Sequence, residues 1–334
     1  MPTFKKILVP TDLSERAASA YTHAREIARR FDAVVDFIHI IPTMKYFSES
    51  LSKLGVPLNM EKDLYPHAQK EAKEKLETYM AEYFTESQRG EAVVLTGRKP
   101  AEAIVSQATS GGYDLIVMAA RGEHETDFMR GGVTEKVIRQ SEIPVFTVDK
   151  ELTAEKLNQI LVPTDMSALS FTSFPLAVSL ANLYGAELTL LHVIELHSSG
   201  MERDTWDPAK SEEENLFDDI MARLQEYIAR NELGTLTVTA GEQAFEAKVS
   251  LTEGDERKTI PLHVIIKRGV TPHAVIEDYA TYNADLVVMT THGHTGLARF
   301  LLGSTTEKVV QYVDLPVLTV KPKKEELKAT AAEA

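Results

Sequence analysis

The stretch "KKILVPTDLSERA", residues 5–17, returns 153 positions later as "NQILVPTDMSALS", residues 158–170. Further along, "YDLIVMAARG" from Tyr113 returns as "ADLVVMTTHG" from Ala284, and "VTEKVIRQSEIPVFTVDK" returns as "TTEKVVQYVDLPVLTVKP". Self-similarity that extends over whole groups of strands and helices indicates a duplicated structural unit. The sequence therefore predicts the same domain twice in one chain.

The boundaries of the two domains follow from where the repeats begin and end. At 334 residues the chain is long for a single core, so length alone also favours two domains. We predict one domain at residues 1–150 and a second at residues 151–322, with a charged joint near residues 149–159. Residues 323–334 have little to bury, and we expect them to form a flexible tail.

The second repeat is longer than the first. The repeats are 153 positions apart at Asp12 and Asp165 but 172 apart at Pro100 and Pro272, so the second repeat has about 19 extra residues. The extra residues fall at 235–259, where two stretches of alternating character flank the turn sequence "AGEQ". Alternation with a period of two is typical of strands, and we predict an added β-ribbon.

Each repeat alternates short β-rich segments with helical ones. The segments "KILVP", "VVDFIHII", "EAVVLTG", "DLIVMAA" and "IPVFTV" of the first repeat are almost continuously apolar. Strands buried on both faces have this composition, which indicates a mostly parallel sheet with helices on either side. We predict an α/β fold with two tandem doubly wound domains, each a five-stranded, mostly parallel sheet flanked by helices. In such sheets ligands bind beyond the carboxyl ends of the strands, where the strand order reverses.

That rule selects candidate binding residues in the second repeat. The first strand ends in "VPTD", which brings Thr164 and Asp165 to the crevice, and the second ends in "LHVIE", which brings Val193. The fourth ends in "VVMTTHG" and runs directly into a glycine-rich segment that starts at Gly293. Glycines let the backbone approach a polyphosphate closely, so these strand ends and the loop predict one anion-binding cleft.

The order of "PTD" after the first strand, "LHVI" in the second and a glycine loop after the fourth resembles the universal stress protein family. The resemblance covers nearly all of both repeats, so the chain is identified as a tandem member. The family's loop is G-x-x-G, nine residues, then G-S or G-T. Gly293, the nine residues after it and Gly303–Ser304 match its later part. The first glycine of the pattern falls on Thr290, which would be strained if that position needs a positive φ.

The resemblance implies an ATP-binding protein of the stress response, a nucleotide-linked sensor or regulator that takes ATP with or without Mg²⁺. It implies that Asp165 contacts the ribose or the adenine edge, that Val193 contacts adenine and that Met289 packs near the sugar and base. Gly303 and Ser304 open a helix whose N–H groups and dipole favour phosphate. The binding residues are then Pro163, Thr164, Asp165, Val193, Met289, Thr290, Gly293, Gly303, Ser304 and Thr305.

The corresponding loop of the first repeat, "MAARGEHETDFMRGGVTEKV", departs further from the family pattern. Counted forward from Gly122, the closing pair is Gly132–Val133; counted backward from "TEKV", it is Gly131–Gly132 with a spacer one residue short. In either alignment the closing Ser or Thr is missing, and Ala119 stands at the first glycine position. The segment "GEHETD" adds three carboxylates, which repel phosphate. We predict that the first repeat binds ATP poorly or not at all.

Simpler roles stay open for several of these residues. Asp165 could only cap the following helix, and the loop glycines could form a plain turn. His292 and His294 suggest a metal, but without an identifiable third ligand they are better interpreted as surface loop histidines. Arg299 could reach a γ-phosphate or be solvated, and Trp206 could cover the cleft or a domain seam. We assign no catalytic residue and no metal ligand.

Composition and charge limit the class of protein. The net charge of −14 argues against a nucleic-acid partner held by a basic surface, and no apolar run is long enough to span a membrane. The absence of cysteine and of a start resembling a signal peptide fits a cytoplasmic protein.

Two other functions are compatible with the sequence. One is a slow ATPase or an adenylyl-transferring enzyme, although no Lys follows the loop glycines as in a Walker motif. The other is a nucleotide-independent dimerisation scaffold, which the altered first loop favours. We also expect the two repeats to pair as an internal pseudo-dimer through their last strands, "PVFTV" and "PVLTVK", and these strands could support a homodimer as well.

Overall fold

The computed structural model describes residues 2–43, 64–120, 132–150, 157–196, 206–293, 302–323 and 326. The chain divides into two compact units, residues 3–153 and residues 154–334 together with the first two. We call them the first and the second unit. The first-repeat loop around Gly122 and nearly all of the predicted tail lie outside the described residues.

The first unit is a parallel sheet with helices between its successive strands. Its elements are β1 Lys6–Pro10, α1 Ala18–Phe31, β2 Val34–Pro42, α2 Tyr65–Tyr83, β3 Arg89–Gly97, α3 Pro100–Ser110, β4 Leu115–Ala119, α4 Gly132–Gln140 and β5 Val145–Val148. The strand order is β3-β2-β1-β4-β5 and every pairing is parallel. Ile7 is in register with Val35 on one side and Leu115 on the other, and all three are fully buried. The predicted five-stranded doubly wound domain is confirmed.

The second unit has the same parallel sheet with two further strands. Its elements are β6 Gln159–Thr164, α5 Phe174–Tyr184, β7 Glu187–Glu195, α6 Glu212–Arg230, β8 Leu236–Ala240, β9 Glu246–Glu253, β10 Glu256–Gly269, α7 Pro272–Asn283, β11 Leu286–Thr290, α8 Ser304–Tyr312 and β12 Val317–Val320. The five strands β12-β11-β6-β7-β10 are parallel, and β9 and β8 continue the sheet antiparallel. Both predicted sheets are therefore present in the molecule.

The predicted ribbon at residues 235–259 is part of a three-stranded antiparallel meander. The amino half of β10 pairs with β9, from Glu256 to His263, whereas its carboxyl half pairs in parallel with β7 through Gly269. One long strand therefore belongs both to the added ribbon and to the parallel sheet. The insertion widens the sheet at one edge and leaves the order of the five parallel strands unchanged.

The position of a binding cleft in the second unit follows from its strand order. The chain proceeds from β6 to β7 and β10 on one side, then crosses to β11 and β12 on the other. The order therefore reverses between β6 and β11, which end at Thr164 and Thr290. A crevice forms at such a point because the two following connections leave in opposite directions.

Three helices begin with residue types that favour a helix start. Pro100 and Pro272 occupy the first turns of α3 and α7, where a missing N–H costs nothing. Ser211 begins α6 with a capping box to Glu214. No helix within the described residues combines the length and the apolarity needed to cross a membrane.

Candidate functional site

A cleft of about 400 Å³ opens at the carboxyl ends of β6, β7 and β11, next to the first turns of α7 and α8. All ten residues predicted from the sequence line it, although they are spread over more than 140 positions of the chain. The cleft thus brings together every predicted contact, and their roles in binding stay a prediction. Residues that the sequence reasoning missed also line it: Ser170, Leu191, His192, Ile194, Glu195, Pro272, Ile276, His292 and Thr306.

Asp165 makes a local cap and faces the glycine loop at the same time. Its Oδ1 accepts hydrogen bonds from the Ser167 backbone N–H at 3.0 Å and from the Ser167 hydroxyl at 2.6 Å. Between them Met166 has a φ of 67°, in the left-handed region, which makes this a tight turn. A Cβ placed on Gly293 would lie 2.3 Å from Asp165 Oδ2, so the second carboxylate oxygen lies against the loop. Capping is therefore one role of Asp165 and leaves the other oxygen at the cleft.

Thr164 fixes the end of β6. Its hydroxyl lies 2.7 Å from the Ser170 hydroxyl and accepts a hydrogen bond from the Met166 N–H at 3.0 Å. Its carbonyl lies 3.0 Å from His192 Nδ1. A carbonyl only accepts, so Nδ1 carries the proton and donates. Thr164 therefore holds the turn and the neighbouring strand end in place.

His192 is a neutral, buried wall residue. Its side chain is 5% exposed, and burial lowers its pKa below the ordinary value. Since Nδ1 holds the proton, Nε2 is an acceptor, and it has no hydrogen-bond partner within the described part of the chain. The apolar run "LHVI" predicts a satisfied core or rim histidine here; burial agrees with this prediction, but an Nε2 without a partner among the described residues does not.

Thr290 adopts an ordinary strand conformation, so the missing glycine causes no strain. It is the last residue of β11, pairs with Val320 and is not among the described residues with a positive φ. Its hydroxyl donates to the His292 carbonyl at 2.6 Å, and its carbonyl accepts from the Thr306 hydroxyl at 2.7 Å. The threonine side chain thus stabilises the turn into the loop.

The two glycines of the matched loop pattern are needed for close approach, not for an unusual φ. Gly303 has a φ of −59° and donates its N–H to the Thr291 carbonyl at 2.9 Å. A Cβ there would lie 3.2 Å from the same carbonyl oxygen, which is tighter than ordinary contact. Gly293 has the closer approach to Asp165 described above.

The first turn of α8 points its N–H groups at the cleft. The helix begins at Ser304, and its first intrahelical bond is from the Glu307 N–H to the Gly303 carbonyl at 2.9 Å. The N–H groups of residues 304–306 precede that bond and have no partner within the helix. Ser304 is exposed and Thr305 half-buried, so both add a hydroxyl near these N–H groups. This arrangement favours an anion.

The rest of the cleft is apolar and carries negative charge. Val193, Ile276 and Met289 contribute aliphatic surface. Asp165 and Glu195 are the charged residues among the described ones that line the cleft, and no Lys or Arg is included there. An anion would therefore be held at the helix start, and the carboxylates suit hydroxyl groups or a cation.

The other residues that the sequence singled out are His292, which also lines the cleft, Trp206 and three loop residues. His292 is buried, with 7% of its surface exposed, so its interpretation as a surface histidine is wrong. Its Nδ1 lies 2.9 Å from the Thr291 hydroxyl. Trp206 donates its indole N–H to Asp219 on α6 at 3.0 Å and is not among the residues that line the cleft. Within the described ranges no group of three or more acidic or histidine side chains could hold a metal. Gly296, the next glycine of the loop after Gly293, lies outside the described residues, as do His294 and Arg299.

The first unit repeats the turn after β1 almost atom for atom. Asp12 Oδ1 accepts from the Ser14 N–H at 3.0 Å and from the Ser14 hydroxyl at 2.6 Å. Leu13 has a φ of 67°, and its N–H donates to the Thr11 hydroxyl at 3.0 Å. His39 Nδ1 lies 2.8 Å from the Thr11 carbonyl. The end of the first strand is therefore built in the same way in both units.

The start of α4 resolves the two alignments of the first-repeat loop. The Thr134 hydroxyl donates to the Ala119 carbonyl at 3.0 Å, which matches the bond from Thr306 to Thr290. These partners are 15 residues apart in the first unit and 16 in the second. The backward alignment is therefore the structural one: the loop is one residue shorter, and Gly132 stands at the position of Ser304.

The family model of the "Universal stress protein family" matches residues 3–149 and 156–321. The universal stress protein MJ0577 of Methanocaldococcus jannaschii is 31% identical over 157 residues, 44% of this chain and 96% of that protein. The crystal structure of a universal stress protein from Archaeoglobus fulgidus matches 97% of this chain and 100% of its own, with 20% identity and a TM-score of 0.57. A universal stress protein in complex with cAMP matches 45% of this chain and 99% of its own, with 19% identity and a TM-score of 0.30. Because the family model matches both repeats almost from end to end, the chain belongs to the universal stress protein family, with two such domains in tandem.

Proposed function

We propose that the cleft of the second unit binds an adenine nucleotide, ATP with Mg²⁺, and that the protein acts in the stress response as a nucleotide-linked sensor or regulator. The observation that carries this proposal is that a helix start, a carboxylate and an apolar wall surround a single cleft of about 400 Å³. That volume is within the range of small-molecule sites. The choice of adenine follows from membership of the family.

The phosphate groups would lie at the start of α8. The N–H groups of its first turn and the hydroxyls of Ser304 and Thr305 are all donors, and the helix dipole adds positive potential. Gly293 and Gly303 allow the backbone close to the ligand, since neither carries a side chain that would fill the space. Hydrogen bonds to a charged phosphate are stronger than neutral ones.

The base and sugar would occupy the remaining part of the cleft. Val193, Ile276 and Met289 offer aliphatic surface to the flat faces of a base. An ionised carboxylate only accepts hydrogen bonds, so Asp165 Oδ2 suits the hydroxyl groups of a ribose. Its Oδ1 is held by Ser167, which keeps the orientation fixed.

The charges that line this cleft explain why Mg²⁺ would accompany the nucleotide. The described lining residues include Asp165 and Glu195 but no Lys or Arg, so the charge of a triphosphate is offset there only by N–H and O–H dipoles. Mg²⁺ on the phosphates would reduce the repulsion from these carboxylates. The same proposal includes a cytoplasmic protein that forms homodimers, which light scattering would test.

The sharpest test makes the start of α8 like the start of α4. The double change Ser304→Gly with Thr305→Val removes both hydroxyl donors, and we expect the affinity for Mg²⁺-ATP to fall about tenfold or more. Isothermal titration of the full chain measures this, and chromatography of nucleotide released on denaturation gives its identity. The matched control is Ser211→Ala, which removes a helix-start hydroxyl outside the cleft and leaves the affinity unchanged.

Two results would contradict the proposal. One is an unchanged ATP affinity in the double variant, which would move the phosphates away from α8. The other is a wild-type protein with no retained nucleotide and an ATP dissociation constant above about 1 mM, roughly −4 kcal/mol of binding free energy. The second result would favour a scaffold that needs no nucleotide.

A further inference from the structure

The first unit has an aspartate and apolar residues at the positions that Asp165 and the apolar wall occupy in the second unit. The correspondence follows from the repeats and from the matching positions in the sheet. The residues that correspond to Asp165, Val193, Pro272, Ile276 and Met289 of the second-unit cleft are Asp12, Ile40, Pro100, Ile104 and Met118.

Asp12 is held in the same geometry as its counterpart. The two distances from its Oδ1 to the Ser14 N–H and hydroxyl, 3.0 and 2.6 Å, equal those from Asp165 to Ser167. The residue after each aspartate has a φ of 67°. Because the same turn fixes the same carboxylate oxygen, we expect the other oxygen to face the strand ends in the same way. A ribose hydroxyl would therefore find the same acceptor in both units.

The apolar wall is also present in the first unit. Ile40, Ile104 and Met118 are 8%, 4% and 5% exposed. Gly97, at the end of β3, leaves room beside Ile40: a Cβ there would lie 3.7 Å from Ile40 Cγ2. A Cβ on the corresponding Gly269, at the end of β10, would lie 3.9 Å from Val193 Cγ1, but Val275 Cγ2 would be closer, at 2.3 Å. The surface suited to a flat base is thus built from equivalent positions.

The phosphate end differs in its exposed donors, although the buried hydroxyl of Thr134 matches that of Thr306. Gly132 and Val133 begin α4 where Ser304 and Thr305 begin α8, so both hydroxyl donors are absent from that turn. Val133 is 37% exposed, which puts an aliphatic side chain at the helix start. Ala119 replaces Thr290 at the end of the preceding strand, and the connection is one residue shorter. A phosphate group would lose its side-chain donors here, whereas a base and a sugar would keep Asp12 and the apolar wall and lose only the Glu195 carboxylate, whose counterpart is Pro42.

We propose that the first unit binds an uncharged nucleoside, a base with its ribose and no phosphate. This inference rests on the proposed function of the second unit, because the base and sugar ends of the cleft are assigned there. The residues that both units share lie where the base and the sugar would bind. The residues that the first unit lacks lie where a phosphate on the 5′ oxygen of the sugar would bind. One chain would then bind the phosphorylated and the unphosphorylated form of the same compound at two separate sites.

The test uses the wild-type chain with its second site occupied. Adenosine is titrated by calorimetry into protein saturated with Mg²⁺-ATP, and we expect one further molecule to bind per chain. AMP under the same conditions should bind about tenfold more weakly or worse, since one phosphate meets the start of α4 without hydroxyl donors. Adenosine that binds only by displacing ATP would overturn the inference, as would AMP binding equally well.

Asp12→Asn assigns the site to the first unit. The asparagine Oδ1 still accepts from Ser14, so the turn is kept, while the other oxygen becomes an NH₂ donor that cannot accept from the ribose. We expect adenosine affinity on the ATP-saturated protein to fall about tenfold, with an unchanged thermal midpoint. Ser211→Ala is the control: losing the helix cap should lower the thermal midpoint slightly, while adenosine affinity stays unchanged. Unaltered adenosine binding in Asp12→Asn contradicts the assignment.

Failure of the proposed function would be seen separately. If ATP does not bind the wild type, the second unit has no nucleotide function. Adenosine is then titrated into the ATP-free protein, into Asp12→Asn and into Asp165→Asn. Loss of binding only in Asp12→Asn keeps the nucleoside site of the first unit, and loss only in Asp165→Asn, or no binding at all, overturns it.

Discussion

The turn after the first strand is the same in the two units, whereas the start of the helix after the fourth strand is not. The hydrogen bonds that Ser14 donates to Asp12 and Ser167 donates to Asp165 agree in both distances. The helix starts agree in one hydroxyl only, that of Thr134 and Thr306, which donates to the end of the preceding strand in both cases.

The two helix starts therefore distinguish hydroxyls that stabilise the fold from hydroxyls that face the cleft. The Thr306 hydroxyl is buried and bonded to a backbone carbonyl, and its counterpart has the same role. Ser304 is exposed at the cleft, and its counterpart Gly132 has no hydroxyl. A duplicated domain can lose exposed donors without a cost in stability, but not a buried hydroxyl that satisfies a carbonyl. Structure is therefore shared, and ligand chemistry is not.

The largest expected effect comes from closing the second cleft. In Gly293→Val the new Cβ would lie 2.3 Å from Asp165 Oδ2, and Ser167 prevents that side chain from moving aside freely. We expect the affinity for Mg²⁺-ATP to fall about a hundredfold or more, measured by titration calorimetry. The control is Gly234→Ala, because a Cβ there meets nothing within 4 Å. Retained affinity in Gly293→Val would mean that the ligand does not use this cleft.

A second prediction concerns stability in acid. It rests on one of the buried positions at which the two units differ. His23 on α1 is 6% exposed, Nε2 lies 3.1 Å from the Lys150 carbonyl, and burial lowers its pKa to about 4. The unfolded chain binds a proton near pH 6.5, so stability is full above that pH and is lost as pH falls toward 4. The loss is about 3 kcal/mol at most. In the second unit Leu176 occupies the corresponding position.

The variant His23→Leu copies the second unit and should flatten this part of the pH dependence. Hydrogen exchange of peptides from α1, compared at pH 7 and pH 4.5, measures the opening free energy of the first unit. Trp206, the single tryptophan, lies in the second unit, so its fluorescence follows that unit separately. An equally steep acid loss in His23→Leu would show that other groups cause it.

The smallest expected effect comes from the matching threonines at the two helix starts, and it compares the two units directly. Thr134→Val and Thr306→Val each remove a buried hydroxyl and leave a strand carbonyl without its donor. We expect each change to lower the unfolding free energy of its own unit by about 1 kcal/mol, measured by urea denaturation. Only Thr306→Val should also weaken ATP binding, because only that helix start lines the nucleotide cleft. Equal effects on ATP binding would contradict the separation of the two sites.

Most of the fold and the members of the cleft could be predicted from the sequence. Duplicated segments, apolar strands and the ribbon at residues 235–259 depend on local patterns, and those patterns are strong here. The cleft residues could be chosen because parallel strands bring their carboxyl ends to one edge. The sequence analysis missed His192 and Ile276 as residues of the cleft wall. The same rule could have found them, since His192 precedes Val193 and Ile276 lies near the start of α7.

The sequence by itself determined the duplication, the parallel sheets and the group of residues at the strand ends, since periodicity and repetition are properties of the chain. The tertiary structure decided what depends on distances between remote segments. It showed that Thr290 is unstrained, that Gly293 is small because Asp165 lies against it, and that His292 is buried. It also resolved the alignment of the first loop through the bond of Thr134, because a hydrogen bond across 15 residues has no signature in the sequence.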